Sequence, residues 1–508
     1  MMNRNRREFL AEVGQGMLLA SVGATLAADL GLAPAFAADG PERLTFGDRE
    51  PLVALMQETP ADKLLPLVVA KLKDGTDLKT LVAAAALANA RTLGGHNYDG
   101  YHTFMALSPA WEMARELPEE RRPLPVLKVL HRNARVIQGS GGGKHEMLHA
   151  VTPAALPKDR PGGEVLREAT HKHDINAAER TFAALVHGSA DDAFNDLLYS
   201  IQDEVNVHRV VLVWRAWATL DLAGKEQAHT LLRQSVHFCC TEGNLDHLEI
   251  HTLLPKLLDQ YKLLGKEIGK RKADDAWIEK MAETIYGGGR TRAADAVAAA
   301  LADGMSPEDI GEAMSVAANR LVLCDRGRQN AKDGKPIGSV HGDSVGVHAS
   351  DSANAWRNIA RVSNTRNTFA SLICGAYHTA GQNGGQTKEP YQLAEQLEKI
   401  KAKDGETLLK EAEAAIKARE QARAAALIHR YGELKLPERP VFDLLLRYAV
   451  SEDGALHAEK YYRTVTEEFA KTREAFRWRQ LVALARVTAS ECGYPAPGYA
   501  EACRLLKV

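Results

Sequence analysis

Residues 206–217 read Asn-Val-His-Arg-Val-Val-Leu-Val-Trp-Arg-Ala-Trp, and this stretch decides the fold because its main features recur along the chain. In each copy a histidine precedes an Ala-Trp pair and then a second histidine. The three sets are His102, Trp111 and His131; His208, Trp217 and His237; and His348, Trp356 and His378. The Trp and second His follow at +9 and +29 in the first two sets, and at +8 and +30 in the third. Matching offsets in three copies predict a structural repeat.

The sequence around these copies predicts helices. Ala, Leu, Glu, Lys and Arg dominate, β-branched runs are few, and apolar residues recur at helical spacing. Ser189 with Asp192, and Ser306 with Asp309, are typical of an N-cap with an acidic first turn. We therefore expect an all-α fold built from helical hairpins around a central His-rich site. Its three clear copies and weaker fourth span about 62–140, 176–265, 290–385 and 418–500.

The histidines that open the repeats are candidate metal ligands. Equivalent positions of a pseudo-symmetric array point toward one axis, so His102, His208 and His348 should converge, together with His457 of the weaker copy. Converging neutral imidazoles without thiolates suit iron, zinc, copper or nickel. His96, six residues before His102, is a further candidate ligand. Taken singly, each of these residues is more often a hydrogen-bonded structural histidine.

Other residues are candidates for supporting roles. Lys460 follows His457 by three residues, so both should face one side of a helix. Near a metal, its amine would lose its charge and could take up CO2 as a carbamate, although a surface lysine is the default interpretation. The candidates for second-shell or alternate ligands are His341, His457, His131, His237 and His378. Tyr98, Tyr101, Trp214 and Trp217 are candidate walls of an aromatic pocket, or core residues.

A separate motif lies at His145-Glu146-Met147-Leu148-His149, which is a literal HExxH. On a helix it would supply two zinc ligands and a general base. Three glycines precede it and Pro153 follows closely, which leaves little room for a helix. A zinc peptidase is therefore only an alternative.

The N-terminus predicts export. Arg6-Arg7-Glu8-Phe9-Leu10 precedes a weakly apolar stretch, and Ala35-Phe36-Ala37 supplies a small-x-small cleavage site. We expect a twin-arginine signal over 1–37, an extension over 38–60, and a helical-repeat domain over 61–508, with no stable membrane anchor after cleavage. The predicted location is periplasmic or extracellular. The twin-arginine machinery carries folded proteins, often with a cofactor already inserted.

Composition limits the function classes. The formal net charge is −2, which gives no electrostatic footprint for nucleic acid. The six cysteines are scattered without a CxxC motif, which argues against a c-type haem or a Cys-rich zinc site. Cys492 and Cys503 are either a disulfide pair or buried thiols.

The loops Gly95–His102, Asn206–Trp217 and His348–Arg357, together with Asp453–Lys460, resemble the questin oxidase type. Those proteins are all-helical non-haem iron oxygenases whose iron is held by histidines and a carboxylated lysine. The resemblance implies that His96, His102, His208 and His348 bind Fe2+ and that Lys460 is carboxylated. It predicts an oxygenase that acts with O2 on an aromatic or other organic small molecule, and the N-terminal signal predicts that this oxygenase is exported. A non-catalytic helical scaffold or passive metal-binding protein is the alternative.

Overall fold

The computed structural model describes residues 42–242, 249–331, 335, 337–340 and 344–508. Helices account for 73% of these residues, and the β-structure among them consists of isolated bridges such as Arg271 with Met305. The prediction of an all-α fold is therefore confirmed. The predicted signal over 1–37 and His341 lie outside the described residues.

The helices are numbered in chain order through the compact unit 45–508. The first eight are α1 Glu50–Glu58, α2 Ala61–Lys73, α3 Leu78–Leu93, α4 Tyr98–Glu116, α5 Pro123–Gly139, α6 Gly162–His171, α7 Ile175–Val186 and α8 Ala190–Ile201. The next eight are α9 Val207–Ala223, α10 Ala228–Thr241, α11 Ile250–Gln260, α12 Asp275–Gly287, α13 Arg290–Ala302, α14 Pro307–Leu323, α15 Val345–Val362 and α16 Thr365–Ala380. The last seven are α17 Leu393–Lys399, α18 Gly405–Lys417, α19 Gln421–Glu433, α20 Arg439–Ser451, α21 His457–Lys471, α22 Glu474–Glu491 and α23 Tyr499–Leu506.

Four helices, α4, α9, α15 and α21, form a closed ring that we call the inner ring. Each packs on the next: α4 on α9, α9 on α15, α15 on α21, and α21 back on α4. Each is followed after a short connection by a second helix packed against it, namely α5, α10, α16 and α22. The four opening histidines lie near the N-terminal ends of these helices and meet at one end of the inner ring. The four helices therefore run in the same direction.

Side-chain caps set where the inner helices begin. Asn97 accepts a hydrogen bond from Gly100 N, Asn206 accepts from His208 N, and Ser344 accepts from Val347 N. Each cap satisfies a backbone donor that the helix itself leaves unpaired. Of the two predicted caps, Ser189 bonds Asp192 N at 3.0 Å, as expected. Ser306 also precedes its helix, but its hydroxyl makes no capping bond.

Small residues allow helices to approach the inner ring closely. The alanine-rich α3 is buried from Leu81 to Ala90 and packs on α4, α5 and α9. At Gly346, near the start of α15, an added Cβ would lie 2.7 Å from the Val322 backbone. Only glycine fits there, so this contact fixes the end of α15 that carries His348.

Two further expectations concern membranes and disulfides. None of the described helices is both long and apolar enough to cross a membrane. All six cysteines are free thiols, so Cys492 and Cys503 do not pair and the alternative of unbridged thiols holds.

Candidate metal centre

Four histidines of the inner ring lie together at the first turns of their helices. Ring centroids are 4.8 Å apart for His102 and His208, 5.7 Å for His208 and His348, 5.2 Å for His348 and His457, and 5.2 Å for His457 and His102. The rings therefore follow one another around a closed circuit. We call these four residues the histidine cluster.

The ring nitrogens of the histidine cluster have few other partners. His102 Nδ1 lies 2.7 Å from the Tyr98 carbonyl, which can only accept, so Nδ1 carries the proton and Nε2 a lone pair. Among the described residues, Nε2 of His102 and Nε2 of His208 have no hydrogen-bond partner. The Nε2 atoms of His348 and His457 face each other at 3.2 Å. Buried polar atoms are rarely left unpaired, so these nitrogens are candidates for binding a ligand.

Burial keeps the cluster neutral. It lowers the pKa of His208 to about 4 and that of His348 to about 3, with the charge of Lys460 adding to the effect. The pKa values of His102 and His457 also fall well below the ordinary value, first through burial and then through Lys460. Neutral imidazole is the form that binds metals.

Lys460 lies one turn after His457 on α21 and is 2% exposed. Burial lowers its pKa to about 8, against the opposing effect of Asp351 and Glu459. Burial raises the pKa of the Asp351 carboxyl, although Lys460 counteracts this and the Thr464 hydroxyl donates to Asp351 at 2.7 Å. Burial therefore favours the neutral form of the Lys460 amine more than solvent does.

Asp351 acts on Lys460 but is not among the residues that the sequence motifs indicated. It follows His348 by three residues, the same spacing that separates Lys460 from His457. Residues three apart share a helix face, so this repeated spacing was the signal that could have found it.

The segment just before His457 is strained. Ala455 and Leu456 have φ angles of 47° and 66°, in the left-handed region that residues with a Cβ rarely adopt. Such conformations persist only where the surroundings enforce them, and they concentrate at functional sites. A cavity of about 390 Å³ lies against this segment and reaches His102, His457 and Tyr98. The cavity therefore adjoins two members of the histidine cluster, His102 and His457.

Aromatic side chains flank the cluster on the α4 side. The Tyr98 ring lies 4.3 Å from that of His102, and the Tyr101 ring lies 5.2 Å from that of His208. Trp214 and Trp217, which were considered with the two tyrosines, line a different cavity farther along α9. The candidate aromatic pocket is thus divided between two places.

His96 makes its contacts outside the histidine cluster. Its Nε2 lies 2.7 Å from His237 Nδ1, and His237 Nε2 lies 2.6 Å from a Glu179 carboxylate oxygen. His96, a predicted ligand, and His237, a predicted second-shell residue, therefore bond to each other in a chain that ends at Glu179. His457, considered only as an alternate ligand, instead completes the cluster.

The remaining candidates lie apart from one another. His378 is buried on α16, where its Nδ1 accepts from Trp356 Nε1 at 3.3 Å. His131 on α5 lies against Gly498, just before α23. Both helices are the outer members of their hairpins, which explains why these histidines do not form part of the circuit.

The HExxH residues are not on a helix. Residues 145–149 follow a 3-10 turn at Gly142–Lys144 and precede α6. Glu146 accepts from Gln57 Nε2 at 2.8 Å and lies 3.3 Å from Arg91 Nε. The same-face geometry of a zinc-peptidase helix is absent, and the glutamate that would act as a base is engaged in an ion pair.

Comparison with protein-family models, curated proteins and solved structures finds no match to this chain. Within the part of the chain that the structure describes, no group of three or more His, Cys, Asp or Glu side chains is arranged, as it stands, to hold a metal ion. The four rings of the histidine cluster lie close enough together to share one ion. Their nitrogens do not already form a metal-binding group.

Proposed function

We propose that the protein is an exported metal-dependent oxidoreductase, a non-haem iron oxygenase acting on an aromatic or other organic small molecule. The observation that carries this proposal is the facing pair of Nε2 atoms in His348 and His457, 3.2 Å apart. Two more buried rings, His102 and His208, offer Nε2 atoms without other partners among the described residues. The proposed ligands are therefore His102, His208, His348 and His457.

Distances support a shared ion. Two nitrogens that each lie about 2.1 Å from a metal, at angles between 90° and 110°, are roughly 3.0–3.4 Å apart. The 3.2 Å separation of His348 and His457 falls in this interval. The rings of His102 and His208 adjoin this pair and offer two further Nε2 atoms.

The donor set is compatible with iron chemistry. Imidazoles without thiolates suit iron, zinc, copper or nickel, and the resemblance to the questin oxidase type selects iron among them. Four helix N-termini direct their positive ends toward the cluster, which favours an added anionic group. A carbamate on Lys460 would supply that group. Bound ferrous iron would supply O2 activation beside the substrate.

The surrounding residues would prepare the site. The Tyr98 carbonyl holds the His102 ring in one tautomer, as second-shell partners of metal-binding histidines commonly do. Tyr98 and Tyr101 provide aromatic surface beside His102 and His208. The adjoining cavity of about 390 Å³ is large enough for a small organic substrate.

Metal analysis tests the proposal. Full-length protein reconstituted with Fe2+ without oxygen should retain about one iron per chain, and His348→Gln or His457→Gln should retain almost none. His131→Gln is the matched control and should retain iron like the parent chain. Failure of the parent chain to hold any transition metal would refute the proposal, as would equal loss in the control.

Export is tested separately. Arg6→Lys with Arg7→Lys should hold the unprocessed protein in the cytoplasm, whereas the parent chain should appear outside it in processed form. Identical distribution of the two chains would contradict the twin-arginine proposal.

A passive metal-binding or scaffold protein is the second candidate. Its scaffold form agrees with the finding that no group of three or more His, Cys, Asp or Glu among the described residues is already arranged to hold an ion. Oxygen consumption separates the two functions. An oxygenase loaded with iron should consume O2 faster when a panel of small phenols and quinones is added, whereas a passive protein should show no such dependence.

A further inference from the structure

A cavity of about 280 Å³ lies at the start of α14, between the loop that precedes α12 and the last turns of α15. Among the described residues, its wall carries four cationic side chains, Lys270, Lys272, Arg357 and Arg361, and one carboxylate, Glu308. The wall therefore has a surplus of positive charge.

Both arginines of the wall already have carboxylate partners. Arg361 holds Glu308 through two bonds of 2.6 Å, donated by its Nε and Nη2. Arg357 donates to Glu468, which lies outside the cavity wall, at 2.6 Å. The carboxylate of the wall is thus occupied, and the surplus charge belongs to the two lysines.

The lysines are poorly compensated. Lys272 lies 4.0 Å from Asp309, and Arg473 approaches the same carboxylate at 3.5 Å. Lys270 makes no ion pair within the part of the chain that the structure describes. Two ammonium groups at one cavity favour an anionic ligand over a cationic one.

Backbone contacts fix the loop that carries both lysines. Arg271 forms an isolated β-bridge, and its N–H donates to the Gly304 carbonyl at 3.0 Å. An added Cβ on Gly269 would lie 2.3 Å from the Gly304 backbone, so only glycine permits this close approach. Alternate residues of an extended segment point to the same face, which places Lys270 and Lys272 together beside the cavity.

The start of α14 adds hydrogen-bond donors. Ser306 lines the cavity and is 5% exposed. Although Ser306 occupies the N-cap position, its hydroxyl has no hydrogen-bond partner within the described ranges. Buried hydroxyls rarely lack a partner, so this one points to a ligand in the cavity. The 17-residue helix α14 also begins here, and the N-terminus of a helix attracts anions.

We propose that this cavity is a binding site for a phosphate group. The ammonium groups of Lys270 and Lys272 would balance its charge, and the Ser306 hydroxyl would donate to one of its oxygens. Backbone N–H groups in the first turn of α14 would donate to the others. Ile268 and Pro307 add apolar wall beside these groups, which leaves room for the organic part of a phosphate monoester.

This site is distinct from the histidine cluster and goes beyond the proposed metal function. Arg357 follows His348 by nine residues on α15, which corresponds to roughly 13 Å along a helix with a rise of about 1.5 Å per residue. The proposal can therefore be tested on metal-free protein.

Calorimetric titration of the metal-free full chain with inorganic phosphate tests the site. Chloride at matched ionic strength gives the background, because it screens charge without occupying a phosphate site. We expect saturable binding of one phosphate per chain. Glycerol 3-phosphate is the second probe: tighter binding of the ester identifies an organic phosphate as the ligand, and tighter binding of the free ion identifies inorganic phosphate.

Variants locate the binding. Lys270→Gln combined with Lys272→Gln changes two exposed side chains and should weaken phosphate binding about tenfold or more, or about 1.4 kcal/mol. Ser306→Ala should weaken it severalfold. Lys256→Gln combined with Lys262→Gln is the matched control, because it removes the same charge from exposed positions outside the cavity wall. The control should bind phosphate as the parent chain does, and circular dichroism should show all variants folded.

Three results would overturn the proposal. These are absence of saturable phosphate binding above the chloride background, unchanged affinity in the Lys270 and Lys272 double variant, and an equal loss in the control. Because no metal is present in these titrations, their outcome is separate from the iron measurements on the histidine cluster.

Discussion

At the scale of single residues, a buried ion pair joins an inner-ring helix to an outer helix. Lys128 on α5 is 2% exposed and pairs with the fully buried Glu459 at 2.7 Å. Its ammonium also donates to the carbonyl of Ala449 at 2.9 Å. In the sequence of α21, Glu459 comes two residues after His457 and immediately before Lys460. The pair therefore ties the first turn of α21 to α5.

Removal of one partner of this pair should be costly. Lys128→Met should lower the free energy of unfolding by about 3–5 kcal/mol, because Glu459 is left as an uncompensated buried charge. Urea denaturation measures the change. Lys128→Met combined with Glu459→Gln should recover most of the loss, and a double variant as unstable as the single one would contradict the ion-pair explanation.

Lys460 supports a second prediction at this scale, which rests on the proposed metal function. Lys460→Met should lower iron affinity about 10- to 100-fold, the range found when groups that support a metal site are removed. Labelled 13C bicarbonate should give a carbamate carbon signal in the parent chain that the variant lacks. Lys471→Met, on the same helix, is the control and should retain both. Unchanged iron affinity in Lys460→Met would show that the lysine does not take part.

At the scale of elements, two neighbouring inner helices, α15 and α21, share one polar pattern. On α21, Lys460 and Glu467 follow His457 by three and ten residues, and on α15, Asp351 and Asn358 follow His348 by three and ten. These spacings keep the residues near one helix face. The faces of α15 and α21 that carry these residues are therefore polar along much of their length.

The cap of α9 links an element to the site. Asn206 accepts from His208 N at 2.8 Å, so Asn206→Ala should destabilise the chain by about 1 kcal/mol and loosen the turn that carries His208. Thermal unfolding measures the first effect and iron content the second. Ser189→Ala removes the cap of α8, which carries no candidate ligand. Ser189→Ala should lower the stability by a similar amount and leave the iron content unchanged. If both variants lost iron, the loss would follow from lower stability alone.

At the scale of the whole molecule, many buried histidines make folding sensitive to acid. Burial lowers the pKa of His229 to about 4 and that of His378 to about 3. In the unfolded chain these groups take up protons near pH 6.5. Between pH 6.5 and about 4 the unfolded state therefore binds more protons, and stability falls as the pH falls.

Urea midpoints of metal-free protein at pH 7.5, 6 and 5 measure this dependence. Each buried histidine contributes at most about 1.4 kcal/mol per pH unit. His229→Gln should give a shallower loss between pH 6.5 and 4 than the parent chain. His145→Gln changes an exposed histidine and should leave the slope unchanged. Equal slopes for the parent chain and His229→Gln would refute the role of that ring.

Local sequence determined the helices. Helical apolar spacing, few β-branched runs and capping residues such as Asn206 depend on neighbours within a few positions, so the all-α class could be predicted. The offsets around His102, His208 and His348 likewise predicted equivalent places in successive hairpins. The repeat itself stays a prediction.

Only the tertiary structure decided which side chains meet. His96 follows a tight glycine turn that points its ring at His237, whereas His457 begins α21 and closes the circuit with His102. The separation of Trp214 from Tyr98 into different cavities also depends on how far each lies along its helix. A linear pattern specifies the face and the turn that a residue occupies. The meeting of residues from helices hundreds of positions apart depends on how those helices pack, which no local pattern encodes.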